Sequence, residues 1–73
     1  MKDIEIHTFF DEESRVWVAE YDEIGLATEA ESIDVLTYKL QEMIPELVDL
    51  NKIDIPRPVE FSIITHRKTL AFA

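Results

Sequence analysis

The chain has no cysteine and only one glycine, Gly25, in 73 residues. Without thiols it forms neither disulfides nor thiolate metal sites. One glycine cannot build the glycine-rich loops that cradle phosphates. No serine stands in the Gly-x-Ser-x-Gly frame of a nucleophile elbow, and there is no His-Glu-x-x-His zinc motif. No apolar run approaches the roughly 20 residues of a membrane-spanning helix. The opening Met1-Lys2-Asp3-Ile4-Glu5 lacks the apolar centre of a secretion signal. The expectation is a cytoplasmic, non-membrane, non-enzymatic domain that needs no cofactor. A chain this short buries a modest core, so added stability is expected from a partner or from self-association, most simply a dimer.

Positive charge is scarce as well. Seven Lys and Arg face sixteen Asp and Glu, for a net charge of −9. Residues 1–54 hold fifteen of the acids and four of the bases, so that part carries −11 and residues 55–73 carry +2. A field of this sign repels phosphate backbones and draws in cationic surfaces. Direct nucleic-acid binding is therefore not expected, and a basic protein partner is.

What is present reads as an α+β domain of order β-β-β-α-β spanning residues 1–73. From Lys2 to Phe10, Ile4, Ile6, Thr8 and Phe10 alternate with Asp3, Glu5, His7 and Phe9, the period of a half-buried strand. Asp11-Glu12-Glu13-Ser14 suits a hairpin loop. Arg15 to Tyr21 returns as a strand that is apolar on both faces and therefore central. Val16 and Val18 lie on one face, and Trp17, Ala19 and Tyr21 on the other. Gly25 supplies a turn with a positive backbone dihedral, and Leu26 to Ala30 forms a short third strand.

Ser32 is placed to cap a helix, with Asp34 in the first turn favoured by the helix dipole. Ile33, Leu36, Leu40, Met43, Ile44, Leu47 and Leu50 recur at three- and four-residue spacing, and Asn51 is a plausible end. Pro45 falls inside this pattern. It removes a donor and crowds the preceding turn, so the choice is one helix kinked at Pro45 or two nearly in line. Asp54 to Pro58 is extended connector. Val59, Phe61, Ile63 and Thr65 alternate into a fourth strand. Leu70 to Ala73 is either a last short strand or a frayed tail. The first three strands make an antiparallel meander, and the right-handed crossover rule places the fourth beside and parallel to the first, with the helix on one face.

Four constellations can be weighed for chemistry. His7 and His66, on strands expected to be neighbours, could hold a divalent metal with Asp3 or Glu5; two ordinary exposed histidines are the simpler reading. Asp3 and Glu5 share a strand face, as magnesium-binding carboxylates of a nuclease do, but two-metal chemistry needs more acids than these. Trp17 and Tyr21, with Phe9 joining from the first strand, could stack bases, but acidic surroundings fit a core or a protein interface better. The strongest set is the acids Asp11, Glu12, Glu13, Glu20, Asp22, Glu23, Glu29 and Glu31. Together with Trp17 and Tyr21 they are the expected partner-binding residues.

The run Trp17-Val18-Ala19-Glu20-Tyr21-Asp22-Glu23-Ile24-Gly25-Leu26-Ala27-Thr28-Glu29-Ala30-Glu31-Ser32, followed by Leu36, Leu40 and Met43-Ile44-Pro45-Glu46-Leu47, resembles the HicB family. In particular it resembles a small branch of HicB-like domains of unknown function. HicB proteins are antitoxins with a partial ribonuclease H-like fold that mask HicA, a small basic RNase toxin. The resemblance therefore implies a single HicB-like domain acting as an antitoxin on a HicA-type partner. A vestigial metal-dependent nuclease and an orphan oligomerisation module are the alternatives. Two features depart from the family pattern. Ile24 stands where relatives carry a proline before the glycine, and the 73 residues leave no room for a DNA-binding segment, so operon repression is not expected.

Overall fold

The computed structural model describes residues 4–72. Its elements are β1 (Ile4–Asp11), β2 (Val16–Tyr21), a short 3-10 turn (Asp22–Ile24), β3 (Leu26–Ala30), α1 (Ile33–Leu50) and β4 (Phe61–His66). The strands form one mixed sheet in the order β3-β2-β1-β4. β1 pairs antiparallel with β2, β2 antiparallel with β3, and β1 parallel with β4. This is the expected β-β-β-α-β architecture, with the fourth strand beside the first. Three boundaries differ from the sequence reading, the first being Asp11, which ends β1 instead of opening the loop. Arg15 belongs to the hairpin loop, and Val59 precedes the fourth strand. Residues 67–72 carry no strand, and Ala73 lies outside the described residues.

Each turn has an identifiable device. In the β1–β2 loop the Asp11 carboxylate accepts from the Glu13 and Ser14 amides at 3.0 and 3.2 Å, a side-chain substitute for a backbone turn. The Arg15 amide then donates to the Asp11 carbonyl at 2.7 Å. Arg15 closes the loop in the left-handed region at φ 60. Gly25 does the same at φ 70 after the 3-10 turn, its amide bonded to the Asp22 carbonyl at 3.0 Å.

The Ser32 hydroxyl accepts from the Val35 amide at 3.1 Å, as a helix cap should. The helix continues through Pro45 as one element, and two helices in line are ruled out. Pro45 leaves only the carbonyl of Gln41, an exposed residue, without its usual donor. Leu36, Leu40, Ile44 and Val48 are fully buried. Burial of these four side chains contributes on the order of 6–12 kcal/mol before chain entropy is counted.

The apolar stripe is not the one that simple spacing implies. Leu50, expected on it, is 77% exposed, and Val48, not expected, is fully buried. Four-residue steps advance the buried line by about 40° each around a helix of 3.6 residues per turn. By Val48 the line has rotated away from the side on which Leu50 projects.

The helix ends in two paired bonds. The Lys52 amide donates to the Asp49 carbonyl at 3.1 Å and the Ile53 amide to the Val48 carbonyl at 3.0 Å. Such a closure requires a left-handed residue, usually glycine; here it is Lys52 at φ 54. The Asn51 side chain then bonds the Ile24 carbonyl at 3.1 Å, joining the helix end to the 3-10 turn.

The helix runs chiefly over β3 and β2. Ile4, Ile6, Ala19, Leu26 and Ala30 meet it from the sheet, with Ile24 from the turn. Ile53, Ile55 and Val59 of the returning connector fill in below, and Phe61 and Ile63 of β4 stay half-buried at the flank.

Candidate functional site

With the helix on one side, the other face of the sheet has no covering layer among the described residues. Strand parity and register say what stands on it. One row across the sheet reads Glu29, Val18, Phe9, His66, and the next reads Ala27, Glu20, His7, Ile64. Glu5 and Ser62 lie below them, Asp11 and Val16 above. The centre is apolar: Phe9 is 47% exposed, and Val16, Val18 and Ile64 are half-buried with no layer above them. Around it stand the exposed carboxylates Glu5, Glu20 and Glu29. No Lys or Arg lies among the strand residues of this face.

His7 and His66 sit on this face too, with near-parallel rings whose centres are 6.0 Å apart. They are neighbours, as their strands were expected to be. Among the described residues no group of three or more His, Asp or Glu is placed to hold a metal ion. Asp3, the acid weighed as a third ligand and as half of a nuclease pair, lies outside the described residues.

The acids of the expected partner-binding set divide among several places. Glu20 and Glu29 share the open face. Glu12 and Glu13 occupy the β1–β2 loop at one end of the sheet, and Asp22 and Glu23 the 3-10 turn at the other end. Glu31 is exposed just before the helix, and Asp11 is spent on the loop amides. Asp34, Glu42, Glu46 and Asp49 lie exposed along the helix, so negative charge is not confined to one patch. What distinguishes the open face is the combination of carboxylates with an apolar centre.

Trp17 and Tyr21 are on the opposite side. Alternation along β2 turns them toward the helix with buried Ala19, away from Glu20, and both are half-buried against the core. Phe9 does not join them; its parity places it on the open face. Phe10 meets Trp17 instead, edge to face at 5.2 Å. The Arg67 guanidinium lies 4.0 Å from the Phe10 ring centre and 5.9 Å from that of Trp17, and its Nε is 3.9 Å from a Glu12 oxygen. Tyr21 donates to Glu23 at 3.0 Å.

The apolar side chains that share the open face with the acids are thus Phe9, Val16, Val18 and Ile64. Each one's parity is readable in the sequence, but their assembly depends on which strands pair. A cleft of about 90 Å³ lies at the end of the core between Ile4, Tyr21, Ile24, Val48, Ile53 and Ile55. Ligand sites for small molecules run to roughly 300–1,000 Å³, so this cleft is undersized for one. No described helix is long and apolar enough to cross a membrane.

Comparison with known proteins now has a geometry to refer to. Residues 3–73 match the model of the Domain of unknown function family DUF1902. The chain belongs to that family. Among solved structures it is similar to the crystal structure of hypothetical protein TTHA1013 from the extremely thermophilic bacterium Thermus thermophilus. The two share 38% sequence identity, with 97% of this chain and 100% of that one covered, at a TM-score of 0.80. Among proteins with curated descriptions, none matches.

Proposed function

We propose that this DUF1902 domain is a non-catalytic protein-binding module. Its open sheet face covers a basic protein, acting as the antitoxin-like partner of a HicA-type RNase. The observation that carries the reading is the pairing of Phe9, Val18 and Ile64 with Glu5, Glu20 and Glu29 on a face that nothing in the described chain covers. An apolar patch rimmed by one sign of charge is what association needs: burial at the centre supplies affinity, and the rim steers the encounter. The net charge of −9 gives the same preference at long range. The likeness of the Trp17–Ser32 run and the following helix to HicB domains supports the choice of toxin as partner.

The test is a binding titration against the purified basic product of the neighbouring gene, together with an RNA-cleavage assay of that product. A complex that silences cleavage and weakens with added salt is the expected result. Phe9→Ser should weaken it by at least about thirtyfold, the scale of an interface hot spot. The double change Glu20→Gln with Glu29→Gln should slow association and flatten the salt dependence. Equal affinity of all three proteins, or no complex at any salt concentration, overturns the proposal.

A further inference from the structure

The two edges of the sheet are finished differently. β3 is five residues long, carries Glu29, is followed by Glu31, and has the helix running over it. The Lys39 ammonium on that helix donates to the Glu29 main-chain carbonyl at 2.7 Å. Charge, shortness and a covering element are the usual protections of an edge strand. β4 has charge only at its flanks, Glu60 before it and Arg67 and Lys68 after it, and no helix runs over it. It runs Phe61-Ser62-Ile63-Ile64-Thr65-His66, six residues without a proline, lysine or carboxylate. The Ile64 carbonyl accepts from the Thr8 hydroxyl at 3.3 Å, so Ile64 directs its backbone at β1. By alternation Ile63 and Thr65 direct theirs outward, where no strand follows among the described residues.

Past Arg67, which packs on Phe10 and Trp17, the described residues 68–72 are all exposed. The molecule measures 51 × 22 × 19 Å, while the 18-residue helix accounts for about 27 Å. Leu70 and Phe72 are 79% and 87% exposed, so two large apolar side chains find little cover within their own chain. The same segment carries Arg67 and Lys68, in a molecule whose first 54 residues sum to −11.

We propose that the β4 edge and the segment 67–72 bind a second copy of this chain. Antiparallel pairing of the two β4 strands around a two-fold axis makes one continuous eight-stranded sheet. In a register that sets core-facing Ile63 opposite core-facing residues of the other β4, the end of one β4 meets the beginning of the other. Lys68 of each copy then comes beside Glu60 of the other. Leu70 and Phe72 reach toward the other copy's half-buried flank at Phe61 and its connector at Ile55. The interface is isologous, so the same patch serves both copies and the assembly closes at two. The occupant is a second copy because its charge complements the segment: the exposed Lys68 of one chain meets the acidic body of the other, whose first 54 residues sum to −11. This surface is the edge of the sheet and not its open face, so either proposal can fail alone.

Sedimentation velocity and light scattering on the full chain, over a wide concentration series, test the inference. A monomer–dimer equilibrium is expected, with the amides of Ile63 and Thr65 exchanging more slowly as the dimer forms. Leu70→Ser with Phe72→Ser, both at exposed positions, should raise the dimer Kd by about tenfold to a hundredfold without altering the fold. Thr65→Pro should abolish the dimer by removing an outward donor. If that variant fails to fold, the serine pair decides. A monomer throughout the series, a dimer indifferent to the serine pair, or Ile63 and Thr65 amides that exchange alike at all concentrations would each overturn it.

Discussion

Lys52 occupies a position suited to glycine, and replacing it isolates one backbone term. Its φ of 54 puts it in the left-handed region, held there by the paired amide bonds of Lys52 and Ile53 to the Asp49 and Val48 carbonyls. A side chain there costs about 1–2 kcal/mol relative to glycine. Glycine gives back about 0.4–1 kcal/mol through its freer unfolded chain. Substitution also removes a lysine from a helix C-terminus, worth about 0.3–1 kcal/mol.

Lys52→Ala keeps the backbone strain and loses the charge; Lys52→Gly loses both. The contrast between the two variants cancels the charge and leaves about 1 kcal/mol in favour of glycine. In a domain this small that is roughly 4–8 °C in Tm. Thermal and urea denaturation followed by circular dichroism measure it, and wild type should fall between the variants or level with Lys52→Gly. If Lys52→Ala matches or exceeds Lys52→Gly, the account of the helix end is refuted.

Four further outcomes follow from the same contacts. Gly25→Ala should lose about 1 kcal/mol by chemical denaturation, because a new Cβ there meets nothing within 4 Å and only the φ of 70 opposes it; a loss above about 3 kcal/mol would mean a clash is present after all. Leu40→Ala, at a fully buried position, should lose about 2–5 kcal/mol, roughly half the stability such a chain possesses, and a mild loss would place Leu40 outside the core. Ser32→Ala should cost about 1 kcal/mol and shift the urea midpoint through loss of the Val35 amide bond; an unmoved midpoint would show that the cap contributes nothing. Arg67→Ala should release the chain after β4 from Phe10 and Trp17, seen as faster proteolysis beyond residue 66 and a stability loss near 0.5–1 kcal/mol; unchanged proteolysis would show that other contacts hold the segment.

Much of this fold was legible in the chain because local chemistry and tertiary packing agree. Asp11 to Ser14 turns because a carboxylate can bond its own loop amides. Ser32 caps because a hydroxyl reaches the third amide onward. Alternation along β1 sorted Ile4, Ile6 and Thr8 from Glu5, His7 and Phe9 correctly. The helix stripe was legible only in part. Four-residue steps precess, so Leu50 left the buried side and Val48 entered it. The candidate site was less legible still. Trp17 and Tyr21 look like interface residues by type, but β2 lies in mid-sheet with one face under the helix, and theirs is the covered one.

The residues by themselves determined the element order, the turn positions, the acidic character and which side chains share each strand face. These are consequences of backbone preference and of periods of two and nearly four, which act within a few positions. Only the tertiary structure decided which of the two sheet faces the helix covers and which edge is left unprotected. The crossover rule anticipated that the fourth strand lies beside the first, but the register that sets Phe9 beside His66 and the side on which the helix packs join residues far apart in the chain, and no local preference encodes them.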